Sequence, residues 1–153
     1  ISIIIGQMLS LKAASKIKSR LYSILISSDS ILDWAINNRF TEKSIYGLSI
    51  KKIKSIAHWA LSGERSNFHL KIFNNTDDVK KYFINVHGIG IWSCDMLSVF
   101  YFCFPDVLPT SDLNVKKYIR RYFSDGFPSH LNGLETIICI CLWEAIDRTS
   151  LCL

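Results

Sequence analysis

Gly88-Ile89-Gly90 followed by Ile91-Trp92, and then Pro109-Thr110-Ser111-Asp112, are the residues of this chain whose types and spacing point most directly to chemistry. Two glycines flanking one residue permit positive φ and close approach of another backbone, and a helix starting just after them presents unpaired N–H groups and a positive dipole end. That combination suits a phosphate. Asp112 precedes a helix-like segment, where a carboxylate is held rigidly and can offset positive charge developing on a sugar. Each half also has a plainer use, because Gly-x-Gly makes an ordinary tight turn and aspartate is an ordinary N-cap.

The positioning scaffold follows from the rest of the sequence. With 153 residues, 49% hydrophobic and 12% aromatic, the chain is one globular domain with enough apolar surface for a core. A net charge of +5 and a pI near 9.0 favour an acidic partner without excluding a merely solubilising surface. Cys94, Cys103, Cys139, Cys141 and Cys152 form no C-x-x-C pair, and most lie in apolar runs, so a reducing, cytoplasmic setting is expected, with association with the nucleoid if the source is prokaryotic. The apolar start Ile1–Ile5 is interrupted by Gly6-Gln7 and lacks a basic leader, so neither signal peptide nor membrane helix is expected. Because residue 1 is Ile, a missing upstream segment is one expectation.

Leu11, Ala14, Ile17, Leu21 and Leu25 recur at helical steps and predict an amphipathic helix over about 8–27, followed by a shorter one from about Ser30 to Asn37. Ser49 sits as an N-cap before a helix over about 50–61. Asn75-Thr76-Asp77-Asp78 starts a helix that His87-Gly88 ends, and another runs from Ile91 to about Cys103. Two more are expected over about Leu113–Phe123 and Leu134–Ile146. No alternating strand pattern, repeat or linker competes, so the fold class is all-α.

Val86-His87-Gly88-Ile89-Gly90-Ile91-Trp92-Ser93-Cys94-Asp95-Met96, then Pro105 through Leu113, resembles the helix-hairpin-helix DNA glycosylases, nearest the DNA-3-methyladenine glycosylase II branch. The resemblance extends in order to Ile5-Gly6-Gln7-Met8-Leu9-Ser10 with Lys12-Ala13-Ala14, and to Gly47-Leu48-Ser49 with Lys52. It implies a single glycosylase domain over 1–153 with two helical lobes, a hairpin at about 76–103, and duplex DNA bound with the target nucleotide flipped out. It also implies a monofunctional enzyme of base excision repair acting on damaged DNA as a monomer and releasing alkylated purines of the 3-methyladenine and 7-methylguanine type.

Residue by residue, the resemblance makes Asp112 the catalytic carboxylate and Trp92 a wall of the base pocket, against the commoner fate of a tryptophan in the hairpin core. Met96 stands where an aromatic lines that pocket. Met8 matches the residue that fills the gap left by the flipped nucleotide, although a core position is an equal alternative, and Gln7 either contacts DNA or caps the first helix. Gly88, Ile89 and Gly90 are the phosphate cradle, and Lys12 and Lys116 are the better candidates for phosphate contact. Lys51, Lys54, Lys117, Arg120 and Arg121 are assigned to solvated faces, and Trp59 and Trp143 mainly to core.

Relatives that also cut the strand carry a lysine at the position of Trp92, so strand cleavage is not expected. No cofactor is required, and the cysteine spacing does not fit the iron–sulfur cluster of related families. A monovalent cation on the main-chain carbonyls of Ile84, Val86 and Ile89 is a further implication. The chain departs from the pattern at Leu131-Asn132-Gly133-Leu134-Glu135-Thr136, where relatives carry Trp-x-Pro-Tyr-Arg-Ser, and at His87, which replaces a proline. Those departures support the alternative of a catalytically weak or inactive helix-hairpin-helix DNA-binding module.

Overall fold

The computed structural model describes residues 1–24, 31–62, 71–123 and 126–150, and the expected helix ends at Leu25–Ser27 and Ser30, with Cys152, lie outside them. The described residues form eight α-helices and no strand, apart from an isolated bridge between Ile45 and Leu48. The all-α expectation therefore holds. None of the described helices is long and apolar enough to cross a membrane. The chain divides into two compact units, residues 1–72 with 85–89, and residues 73–84 with 90–153.

The first unit contains α1 (Ser2–Gly6), α2 (Leu11–Ile24), α3 (Ile31–Asn37) and α4 (Ile50–Leu61). α4 has the expected bounds because Ser49 accepts the amide of Lys52 and places Ile53, Ile56 and Ala57 on one buried face. α1 packs on α2 and α4, and α3 packs on α4. Ile4, Ile5, Ile17, Leu21, Leu32, Leu48, Ile53 and Ile56 close this core, with Trp59 and Ile89 packed against it.

The expected single helix from residue 8 is instead two. α1 ends at Gly6, Met8 takes φ +57°, and α2 starts only at Leu11. Ser10 provides the restart, since its hydroxyl accepts the amide of Ala13 at 3.2 Å.

The second unit contains α5 (Thr76–Phe83), α6 (Ile91–Phe100), α7 (Leu113–Tyr122), a 3₁₀ turn (Ser129–Leu131) and α8 (Glu135–Ser150). α5 packs on α6 and α7 on α8, around buried Val79, Phe83, Cys94, Val99, Val107, Val115 and Cys139. Phe73 adds an aromatic seal, with ring centroids 5.0 Å from Phe102 and 5.4 Å from Tyr82.

α5 stops at Phe83, short of the expected His87-Gly88. The physical reason is tertiary: residues Asn85–Ile89 belong to the first unit, where Ile89 joins the apolar core and Gly88 lies against Ser55 of α4. α6 ends at Phe100, before the expected Cys103, and α8 continues past Ile146 to Ser150.

Burial pushes the thiols of Cys94 and Cys139 up to about 11, reinforced by the Asp95 charge for the former and those of Asp112 and Glu135 for the latter. Folding thus favours the protonated thiols, so their contribution to stability is intact below the ordinary value of 9.0 and is lost between pH 9.0 and about 11. At pH 8 a thiol reagent should modify exposed Cys103 and Cys141 and spare Cys94 and Cys139 in the native protein. Peptide mapping after alkylation reads this directly, and early labelling of Cys94 would contradict the packing.

Candidate active site and nucleic-acid contacts

Asp112 is the N-cap of α7, with extended backbone and a side chain that accepts the amides of Asn114 (2.9 Å) and Val115 (3.1 Å) at Oδ1. Two indoles complete its shell. Trp92, on the first turn of α6, donates Nε1–H to Oδ2 at 2.9 Å, and Trp143, from the middle of α8, donates to Oδ1 at 3.3 Å. With three donors on Oδ1 and one on Oδ2, the carboxylate is fixed in orientation, and Oδ2 keeps acceptor capacity for a reacting group.

The structure therefore joins Asp112 and Trp92, as the sequence leads one to expect, and adds Trp143, which sequence reasoning assigned to core. Trp143 is only partly buried and lies 5.7 Å from the Phe100 ring. The signal that pointed toward it was weak: a part-buried indole N–H needs an acceptor, but the sequence does not say which. Met96, by contrast, is 4% exposed and supplies core rather than open pocket surface.

A second layer holds the loop that carries Asp112. Ser111 Oγ donates to Asp95 Oδ2 at 2.8 Å, and Lys80 Nζ stands 3.0 Å from Asp95 Oδ1. That second contact lies off the line a hydrogen bond requires, so it is an ion pair without an aligned hydrogen bond. Asp95 was given no role from the sequence, yet a charge inside the apolar stretch Trp92–Phe100 was a readable sign that something must pair with it.

The divergent stretch 131–136 also has a structural use. Thr136 Oγ1 donates to the carbonyl of Phe104 (2.6 Å) and accepts the amide of Val107 (3.1 Å), while Glu135 accepts the amide of Gly133 (2.6 Å). It clamps the segment leading to Pro109-Thr110-Ser111-Asp112 to the start of α8.

In the first unit Gln7 Nε2 donates to the carbonyl of Gly88 at 2.7 Å, so Gln7 braces the glycine loop. Its backbone also terminates α1. Lys52 Nζ donates to the carbonyls of Ile5 (2.8 Å) and Gln7 (2.6 Å) at the C-terminal end of α1, and partial burial lowers its pKa. Immediately after Gln7, Met8 is 92% exposed at positive φ, which overturns the core alternative for this residue. Replacing Lys52 with methionine removes both of these charged hydrogen bonds and is expected to cost about 1–3 kcal/mol of stability, read from urea melts. An unchanged melt would show that the ammonium is not holding α1.

The glycines separate on geometry. Gly88 has φ +84°, and a Cβ there would collide with Ser55, whereas Gly90 has φ −111° with open space around it. Of the two glycines that permit positive φ, only Gly88 uses it. Gly90 is the N-cap of α6, and no side chain caps that helix start. The amide of Ile89 is already committed to the carbonyl of Val86 at 3.0 Å, so Ile89 offers no backbone donor to a phosphate. Among the described residues no cluster of three histidine, cysteine or acidic side chains has metal-binding geometry. Lys12 and Lys116 are exposed, as are Lys51, Lys54, Lys117, Arg120 and Arg121.

Comparison with family models, curated proteins and solved structures found no match to this chain.

Proposed function

We propose that the chain is a monofunctional helix-hairpin-helix DNA glycosylase that hydrolyses the N-glycosidic bond of alkylated purines in duplex DNA. The observation that carries this reading is the carboxylate of Asp112, oriented by the N-terminus of α7 and by the indoles of Trp92 and Trp143. Methylation at a ring nitrogen leaves a purine cationic, and indole faces attract such a base. When the bond from C1′ to the base breaks, the electron pair leaves with the base, which departs neutral. Asp112 offsets the oxocarbenium-like charge left on the sugar. Water then adds at C1′, its proton goes to solvent, and the products are free base and an abasic site.

The fold in this proposal is the two-lobed glycosylase domain, and the partner is double-stranded DNA bound by a monomer. Met8 fills the gap left by the extruded nucleotide, supported by its exposure and by the anchoring of Gln7 immediately before it. Lys12 and Lys116 take phosphates, as do the first-turn amides of α6 beyond Gly90. The reaction needs no cofactor, and any monovalent cation would have a structural role.

Gly90 gives a clean test of the phosphate contact because nothing in the fold occupies the space a methyl group would take. Gly90→Ala should melt like the native protein yet bind duplex DNA several-fold more weakly; equal affinity removes Gly90 from the interface.

The alternative of a non-catalytic binding module draws on the burial of Met96 and on the structural use of Thr136. Incubation with duplex DNA containing 7-methylguanine separates the two. The enzyme releases free base, and borohydride traps no covalent adduct because Trp92 is no amine nucleophile. A module binds in a salt-sensitive manner and releases nothing.

A further inference from the structure

Asp95 is 2% exposed, and a carboxylate that deeply buried costs several kcal/mol in desolvation before its partners offset it. An apolar residue at this position of α6 would avoid that cost. The side chain spans two elements: Lys80 of α5 at one oxygen, and the Ser111 hydroxyl, sixteen residues along the chain, at the other. Ser111 immediately precedes Asp112. Asp95 also lies one helical turn beyond Trp92, so α6 presents to one loop both the indole that donates to Asp112 and the carboxylate that receives Ser111.

We infer that Asp95 is a positioning residue for Asp112, acting through the Ser111 hydroxyl to fix the loop in register with Trp92. The inference rests on the glycosylase reading for its kinetic consequence, though not for its geometry. The Lys80 pair holds Asp95 itself in place, with the ammonium at the rim of a cavity of about 320 Å³ that Asn75, Thr76, Asp77 and Asp106 also line. Without the Ser111 bond, Asp112 keeps its helix cap and its indole donors but loses the tether that sets its distance from the sugar.

The test uses the full chain with Ser111→Ala, which leaves the Lys80–Asp95 pair intact, alongside Asp95→Asn, the double variant and Ser111→Thr. Single-turnover release of 7-methylguanine at saturating duplex should fall about 10- to 100-fold in Ser111→Ala with duplex affinity unchanged, since a small misplacement of a reacting group costs that much. Ser111→Thr keeps the hydroxyl and should recover most of the rate. The double variant should be no slower than the slower single variant, because Ser111→Ala breaks and Asp95→Asn weakens the same tether.

Fluorine NMR of protein labelled with 5-fluorotryptophan reads the geometry without catalysis. In Ser111→Ala the Trp92 and Trp143 resonances should shift while those of Trp34 and Trp59 stay. If the native protein releases no base, the glycosylase reading fails, and those shifts still decide the tether. Native rates together with native Trp92 and Trp143 resonances in Ser111→Ala overturn the inference, as does a rate loss accounted for by weaker DNA binding alone.

Discussion

Replacing Gly88 with alanine is expected to destabilise the fold by about 2–5 kcal/mol, with or without DNA. The backbone at φ +84° costs an L-residue about 1–2 kcal/mol. The added Cβ would also sit 2.5 Å from Ser55 Cβ and closer still to its hydroxyl. Rotation of Ser55 about χ1 moves the hydroxyl but not Cβ, and Ser55 is 2% exposed with its Oγ bonded to the carbonyl of Lys51. Overpacking of this kind costs about 1–3 kcal/mol more. Against a typical total of about 5–15 kcal/mol, that is a large loss. Urea melts of the variant should show a much lower midpoint, and Ser55→Gly in the same chain should recover the overpacking share. A native-like melt of Gly88→Ala would contradict the close approach. Loss of DNA binding in this variant would say little about DNA, since the fold alone requires glycine here.

Asp112→Asn is expected to change rate far more than stability. The amide oxygen can still accept the amides of Asn114 and Val115, so α7 keeps its cap and the stability cost stays near 1 kcal/mol. The new NH₂ group then faces the Trp92 N–H, which replaces an acceptor by a donor where the native contact is 2.9 Å. On the glycosylase proposal the larger effect is the loss of negative charge beside the sugar. Removing one such stabiliser should slow base release by roughly 10²- to 10⁴-fold. Helical content and melting midpoint from circular dichroism, taken beside the rate, separate this from unfolding. A variant that unfolds at room temperature would make the rate uninformative, and Asp112→Glu would then replace it.

The legible parts of the sequence were those that depend on local signals. α4 and the start of α7 were readable because Ser49 and Asp112 are capping residues ahead of helical periodicity. Asp112 beside Trp92 was readable through the motif that contains both. The parts that were not legible depend on contacts distant in sequence. α5 ends early because residues 85–89 pack on the first unit, and nothing in Val86-His87 announces that. The break at Met8 is stabilised by Lys52, more than forty residues away. Trp143 looked like core because tryptophan in an apolar helix usually is, and its acceptor lies 31 residues earlier. Gly88 was recognisable as a special glycine, and the close approach of Ser55 adds a structural reason that the sequence did not show.

The proposed role of Asp112 in releasing a base from DNA is read by single-turnover release of free 7-methylguanine or 3-methyladenine from methylated duplex. Release by the native chain is expected, with a rate lower by roughly 10²- to 10⁴-fold in Asp112→Asn, both proteins folded and binding duplex equally. Equal rates in the two proteins, or no release by the native chain from any alkylated duplex that it binds, would contradict it.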